Sequence, residues 1–201
     1  MQLVLDIGTP AEPDFDNFVA GANAEAVASL RAFAQGATRE AVMYLWGEPG
    51  SGRTHLLRAA RRLNPRLVIA DDVESLDDSA QQRLFAAINA AREGEPPVLA
   101  AGRQPPAQLA LREDLRTRLA WGLVYQLKPL TDAEKALFLR ALAARRGLPL
   151  SDEVLAYLLT RLPRDLASLN AVLEALDRYS LATKRPVTVP LVRAALERKS
   201  R

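Results

Sequence analysis

A glycine-rich segment, Gly47–Thr54, combines the residue types that bind phosphate. Gly50 and Gly52 allow the backbone to curl until successive N–H groups point toward one anion. A helix that begins directly after them adds unpaired N–H groups and a partial positive charge. Thr54 stands where a hydroxyl ligates Mg²⁺, so the segment predicts a P-loop. The residues predicted to contact a nucleotide here are Gly47, Pro49, Gly50, Ser51, Gly52, Arg53, Thr54 and His55.

One position departs from the P-loop pattern, because Arg53 stands where a lysine is expected. Arginine is longer, planar and always charged, so it neutralises phosphate without nestling between two phosphoryl groups as a compact ammonium does. We therefore expect nucleotide binding to survive more readily than fast hydrolysis. The alternative interpretation is an ordinary glycine-rich turn between a strand and a helix.

Two acids, Asp71 and Asp72, follow the apolar run Leu67–Ala70. At the end of a strand beside a P-loop, Asp71 can hold Mg²⁺ through water, and Asp72 is a candidate for orienting an attacking water. Paired acids at a strand end are common, so the prediction of a Walker B site depends on the P-loop that precedes them.

Short apolar runs alternate with helical patterns in the first two thirds of the chain. The predicted strands cover residues 41–46, 67–70, 98–101 and 123–127. Their alternation with helices predicts an α/β fold, a parallel sheet covered by helices on both faces. After Pro129 the pattern is helical only, and it opens with the capping-box sequence Thr131-x-x-Glu134. We predict three parts, an extended leader (1–20), a nucleotide-binding α/β core (21–128) and an all-helical lid (129–201).

Composition excludes several classes of site. The 201 residues include no cysteine and one histidine, which argues against disulfides and against thiolate or histidine metal centres. The net charge of +3 is weak support for direct binding to duplex DNA. No apolar run approaches the length of a membrane span, and no secretory signal is visible, so we expect no membrane contact.

Several blocks of sequence together point to one family. They are Phe15–Val19, Tyr44–Gly47, Arg53–Leu57 and Asp114–Gly122. In these blocks, and over nearly its whole length, the chain resembles the Hda branch of the DnaA-related AAA+ proteins. The resemblance implies an AAA+ core with a helical lid, binding of ADP or ATP with Mg²⁺, and an adenine wrapped by Phe18 and Val19.

The resemblance also implies roles for three arginines. Arg118, in the Arg-Leu-x-Trp-Gly block, matches an arginine finger that acts on a nucleotide held by a neighbouring subunit. Arg116 is a candidate helper, or a partner for Glu113 or Asp114. Arg164 matches the sensor-2 arginine of the lid, which reaches phosphates bound in cis.

The N-terminal segment Gln2–Ile7 resembles the short motif with which this branch docks on the DNA polymerase III sliding clamp (its β subunit). Gln2 would enter a polar subsite, and Leu3 and Leu5 an apolar pocket. The alternative is a short strand with alternating apolar residues.

Taken together, the resemblance implies a negative regulator of replication initiation in the bacterial cytoplasm, associated with the nucleoid and replisome. It would bind the clamp and stimulate hydrolysis of DnaA-bound ATP, contacting DNA only through the clamp. Its own ATPase activity would be weak at most, and self-association stays open. The alternatives are an autonomous ATPase of the clamp- or helicase-loader type and a scaffold with a vestigial nucleotide site.

Two further departures from the AAA+ pattern bear on the core. Only Asn64–Arg66 separates the P-loop helix from the Walker B run, so an edge strand and helix are missing, or the chain has been trimmed. Ala100–Arg103 occupies the sensor-1 region, with Arg103 where relatives often carry an acid. This departure weakens the prediction of self-hydrolysis further.

Overall fold

The computed structural model describes residues 12–161, 166–183 and 186–197. The chain divides into two compact units, Pro13–Pro129 and a second unit that contains Leu130–Arg201. Strands are found only in the first unit in the described part of the chain. No helix among the described residues is long and apolar enough to cross a bilayer.

A four-stranded parallel sheet forms the centre of the first unit, with the strand order β2-β3-β1-β4. The strands are β1 (Val42–Trp46), β2 (Val68–Ala70), β3 (Val98–Gly102) and β4 (Leu123–Gln126). Val42 of β1 is in register with Val98 of β3, and Met43 is in register with Leu123 of β4. Since all strands run in one direction, their carboxyl ends lie together along one side of the sheet, called the carboxyl edge. Their amino ends lie along the opposite side, the amino edge.

Helices cover both faces of this sheet because successive side chains of a strand point to opposite sides. The helices of the first unit are α1 (Ala24–Ala34), α2 (Arg53–Leu63), α3 (Asp78–Arg92) and α4 (Glu113–Leu119). Met43 and Leu45 belong to the apolar cluster formed with α1 and α2, whereas Val42 and Tyr44 belong to the one formed with α3 and α4. The predicted strands and helices of the core are therefore confirmed.

The connection between α2 and β2 is very short. The helix ends at Leu63 and the strand begins at Val68. The connection is held in place, since the Asn64 side-chain amide donates to the Ala34 carbonyl at 3.1 Å and Leu67 is 2% exposed. Among the described residues no further strand pairs with β2, so β2 is an edge strand of the sheet.

The second unit is helical in its described part. Its helices are α5 (Asp132–Arg145), α6 (Asp152–Arg161), α7 (Leu166–Thr183) and α8 (Val189–Glu197). The predicted capping box is present, because the Thr131 hydroxyl accepts from the Glu134 N–H at 3.2 Å while Glu134 accepts from the Thr131 N–H at 2.8 Å. Leu139, Leu173 and Leu176 are fully buried in the apolar cluster of this unit.

Candidate functional site

The Gly47–Thr54 loop lies between β1 and α2, at the carboxyl edge of the sheet. Gly50 and Gly52 both have positive φ angles, 84° and 93°, which turn the chain tightly into the start of α2. Ser51 is buried, and its Oγ has no hydrogen-bond partner among the described residues. The loop thus ends in a buried hydroxyl and a helix N-terminus, both of which are groups that phosphate oxygens accept from.

Thr54 and Asp71 meet as the sequence pattern predicts for a Mg²⁺ site. The Thr54 hydroxyl donates to Asp71 Oδ2 at 2.6 Å. The second oxygen of Asp71 accepts from the Asp72 N–H at 2.9 Å, which fixes the carboxylate on the loop that follows β2. A hydroxyl and a carboxylate at this edge are hard oxygen ligands of the kind Mg²⁺ prefers.

Arg53 makes a different contact from that of a P-loop lysine. Its guanidinium Nη2 lies 3.4 Å from Asp72 Oδ1, and its side chain is only 10% exposed. Asp72 accommodates this contact from a left-handed backbone conformation, with φ of 44°. Asp72 is the residue predicted from the sequence to orient an attacking water, and this ion pair engages its carboxylate. Arg53 Nη1 is buried and has no hydrogen-bond partner in the part of the chain that the structure describes, so this nitrogen is left for an anion.

A polar cluster that sequence reasoning missed lies behind these groups. The Tyr44 hydroxyl donates to the Gln104 carbonyl at 2.8 Å, and burial, together with the charge of Glu74, raises the pKa of Tyr44 above its usual range. Glu74 pairs with Arg103 at 3.2 Å, which explains how the sensor-1 region carries an arginine. Two features of the sequence could have indicated this cluster. They are Tyr44, a tyrosine in an otherwise apolar strand, and Glu74, a third acid shortly after Asp71 and Asp72.

Residues of the leader pack on the P-loop helix. Asp14 offers its carbonyl to His55 Nε2 at 2.9 Å, and the rings of Phe18 and His55 are 5.3 Å apart. Phe18 also covers Gly52, where an added Cβ would lie 2.5 Å from the aromatic ring. Val19 is half-buried beside Phe18. The segment that the resemblance assigns to the adenine therefore contacts the P-loop.

Arg118 lies near the opposite edge of the sheet from the P-loop. Helix α4 leads through Trp121 into β4, whose first residue, Leu123, pairs with Met43 near the start of β1. The P-loop instead follows Trp46, the last residue of β1. A five-residue strand is about 16 Å long, so the two ends of the strands, near which Arg118 and the P-loop lie, are about this far apart.

Arg118 makes aromatic contacts rather than ion pairs. Its guanidinium carbon lies 3.7 Å from the centroid of the Trp121 ring, and in residues 12–161, 166–183 and 186–197 no carboxylate pairs with it. Asp114 is paired with Arg112 at 2.7 Å. Arg116 forms neither of the ion pairs considered for it within those residues, and its Nε is buried without a partner.

Four residues of the predicted sites lie outside the described residues. They are Gln2, Leu3 and Leu5 of the clamp-docking motif and Arg164 of the lid. Their roles stay predictions.

A family model described as "Hda, lid domain" matches residues 132–196. The chain is also 33% identical, over 227 residues, to an uncharacterized protein of Haemophilus influenzae, with 97% of this chain and 98% of that protein covered. The matched length exceeds the 201 residues of this chain, so the relative carries residues that this chain lacks.

Solved structures of AAA+ proteins share the fold. Domain III of the Thermotoga maritima replication initiation protein DnaA is 19% identical with a TM-score of 0.72, covering 94% of this chain and 98% of that domain. AMPPCP-bound DnaA from Aquifex aeolicus is 18% identical with a TM-score of 0.66, covering 88% and 71%. A Thermotoga maritima RuvB mutant is 16% identical with a TM-score of 0.63, covering 92% and 71%. These likenesses confirm the predicted fold class.

The contact between Phe18 and the P-loop is testable with a matched pair of glycines. Gly50→Ala meets no atom within 4 Å, so it should cost only the strain of its positive φ, about 1–2 kcal/mol of unfolding free energy. Gly52→Ala adds the clash with Phe18, and we expect it to cost about 1–3 kcal/mol more. Urea unfolding measures both values.

Phe18→Ala in the Gly52→Ala background supplies the control. A double-mutant cycle should recover the excess cost as a coupling between the two positions. Equal costs for Gly50→Ala and Gly52→Ala would mean that the Phe18 ring does not cover the loop in solution.

Proposed function

This chain is a Hda-like, DnaA-homologous AAA+ protein, and we propose that it is a clamp-bound adaptor that stimulates hydrolysis of the ATP held by DnaA. In this role it restrains replication initiation. Arg118 would enter the nucleotide site of the initiator, while the adaptor's own P-loop holds an adenine nucleotide.

The single observation that carries the proposal is the position of Arg118 across the sheet from the P-loop. The two ends of β1 are about 16 Å apart, which exceeds the reach of an arginine side chain, so Arg118 is better placed to serve a nucleotide outside its own chain. Its charge is not cancelled by a carboxylate among the described residues. An unneutralised arginine is suited to stabilising charge on the phosphoryl group of a neighbouring protein, a contribution worth roughly 10³–10⁵ in rate.

The adaptor's own site supports binding of ADP or ATP with Mg²⁺. The pair formed by Thr54 and Asp71, at 2.6 Å, offers oxygen ligands for the metal, and the partnerless Nη1 of Arg53 offers a donor to phosphate. A bound nucleotide would supply negative charge to satisfy these groups. Arg53 and Asp72 are paired with each other, which ties the acid to the P-loop arginine and supports weak turnover at most.

An autonomous ATPase of the loader type is the second candidate, and the contact between Thr54 and Asp71 favours it. The engagement of Asp72 with Arg53 counts against it, as does the Arg103–Glu74 pair in the sensor-1 region. A scaffold with a vestigial site is disfavoured by the glycine geometry of the loop. Turnover measurements distinguish these candidates.

The proposed partners are DnaA and the DNA polymerase III sliding clamp, with DNA contacted only through the clamp. Clamp docking is assigned to Gln2, Leu3 and Leu5 by resemblance, and a sensor-2 role to Arg164 likewise. The proposed location is the bacterial cytoplasm at the nucleoid and replisome. Self-association is a further proposal that sedimentation of the isolated chain would test.

The first prediction is nucleotide binding with little turnover. The isolated protein should bind ADP and ATP more tightly with Mg²⁺ present, and it should hydrolyse ATP well below about 1 s⁻¹, the low end of ordinary enzyme rates. Thr54→Ala should abolish the gain from Mg²⁺ because the metal loses a hydroxyl ligand. Titration calorimetry and phosphate release provide the measurements.

Arg58→Ala is the matched control, since Arg58 is exposed on the same helix. It should bind nucleotide as the parent protein does. Turnover by the isolated chain at or above 1 s⁻¹ would favour the autonomous ATPase.

The second prediction concerns Arg118. Arg118→Ala should keep the fold, nucleotide binding and clamp binding, and it should lower the stimulated hydrolysis of DnaA-bound ATP by about 10³-fold or more. Arg118→Lys should restore little, because the planar fork that meets phosphoryl oxygens is lost. Single-turnover hydrolysis with clamp and DNA present measures the effect.

Arg116→Ala provides the neighbouring comparison, and its effect should be much milder. If Arg118→Ala stimulated hydrolysis as well as the parent protein does, the proposed action in trans would be wrong.

The third prediction concerns the N-terminal segment. Changing Gln2 and Leu3 to alanine should abolish clamp binding, measured by surface plasmon resonance, and leave the melting temperature nearly unchanged. A fall of many degrees in melting temperature with clamp binding retained would instead identify the segment as a structural strand.

A further inference from the structure

The surroundings of Arg118 contain an aromatic arrangement that the resemblance does not assign. The Arg118 guanidinium carbon lies 3.7 Å from the Trp121 ring centroid and 5.3 Å from that of Phe85. Arg92, the last residue of α3, also stacks on Trp121, at 4.4 Å. Two guanidinium groups therefore contact one indole ring that is itself 45% exposed.

Local backbone geometry brings the two side chains together. The Trp121 N–H donates to the Arg118 carbonyl at 3.2 Å, which closes the last turn of α4. Residues three apart across such a turn lie on one face, so the indole ring of Trp121 packs against the Arg118 side chain. The spacing Arg-x-x-Trp is thus the chain feature that makes the contact.

Nearby acids do not compete for Arg118. An open groove of about 630 Å³ adjoins the pair and is lined by Arg112, Glu113, Asp114, Thr117, Arg118 and Trp121. Asp114 accepts from Arg112 at 2.7 Å and from the Leu115 N–H at 2.8 Å, so both of its oxygens are occupied. Glu113 begins the helix, at the end distant from Arg118.

We propose that Trp121 is a positioning residue for Arg118, holding its guanidinium plane at the surface while leaving its N–H donors free for phosphoryl oxygens. A ring attracts the face of a guanidinium through its quadrupole, whereas the N–H groups point outward from the edge. A carboxylate partner would instead occupy two donors and cancel the charge. Arg92 holds the ring in turn. The inference rests on the proposed action of Arg118 in trans.

The first arm of the test uses the isolated chain and no partner. The sequence has two tryptophans, so in a Trp46→Phe background the emission comes from Trp121 alone. Removing the stacked cation by Arg118→Ala should raise the acrylamide quenching constant of Trp121 and shift its emission to the red. Arg58→Ala, which removes an exposed arginine of α2, should change neither. Unchanged quenching in Arg118→Ala would overturn the stacking.

The second arm measures stimulated hydrolysis of ATP bound to DnaA, with clamp and DNA, over a range of adaptor concentrations. Trp121→Leu should lower the maximal rate about tenfold, as expected when a cation–π contact that orients the reacting group is lost. The half-saturating concentration should stay nearly constant. Trp121→Phe, which retains a ring, should recover most of the rate, and Arg58→Ala should match the parent.

Other outcomes of the second arm contradict the inference. A raised half-saturating concentration with an unchanged maximal rate would make Trp121 an interface anchor, and no change in either would remove its role. If Trp121→Leu fails to fold, the Arg118→Ala quenching result and the Trp121→Phe kinetics decide the question. If Arg118→Ala loses the stacking but still stimulates hydrolysis fully, the proposed function itself is contradicted. This outcome differs from those that contradict only the role of Trp121.

Discussion

The common direction of the four strands is the constraint on which the rest of this structure depends. In a parallel sheet, every loop that follows a strand opens at one edge, and every segment that leads into a strand lies at the other. The P-loop after β1 and the acids after β2 therefore share an edge. Arg118 and Trp121, which precede β4, lie at the other edge. A nucleotide bound by this chain would therefore lie at one edge of the sheet and the proposed arginine finger at the other, so they would face different neighbouring proteins.

The two arginines that matter most are held in different ways. Arg53 is almost fully buried and pairs with Asp72, so its charge is balanced within the candidate site. Arg118 is held by an aromatic ring and keeps its charge. A buried cation needs a compensating acid because desolvation is costly, whereas a surface cation can be held by a ring quadrupole. This difference fits the proposed adaptor, which would keep its own nucleotide while acting on that of another protein.

β2 lies at the edge of the sheet, and a very short connection leads into it from α2. The Asn64 bond to the end of α1 and the burial of Leu67 integrate the connection into the core. The longer match with the Haemophilus influenzae relative agrees with residues being absent here relative to that protein. β1 and β3 are each paired on both sides, and so the carboxyl edge that carries the P-loop and Asp71 is intact.

Local chemistry made most of the fold and part of the site predictable from the sequence. Apolar runs determined the strands, the pattern Thr131-x-x-Glu134 determined a helix start, and Gly50 and Gly52 determined the loop, because each depends on neighbours a few residues apart. The meeting of Thr54 with Asp71 was predicted from the P-loop and Walker B patterns, because both segments directly follow strands of one parallel sheet. Tertiary structure alone decided two ion pairs, Asp72 with Arg53 and Glu74 with Arg103. It also decided that the Phe18 ring covers Gly52. Those contacts depend on rotamers and on separations set by packing of distant segments, which no sequence spacing encodes.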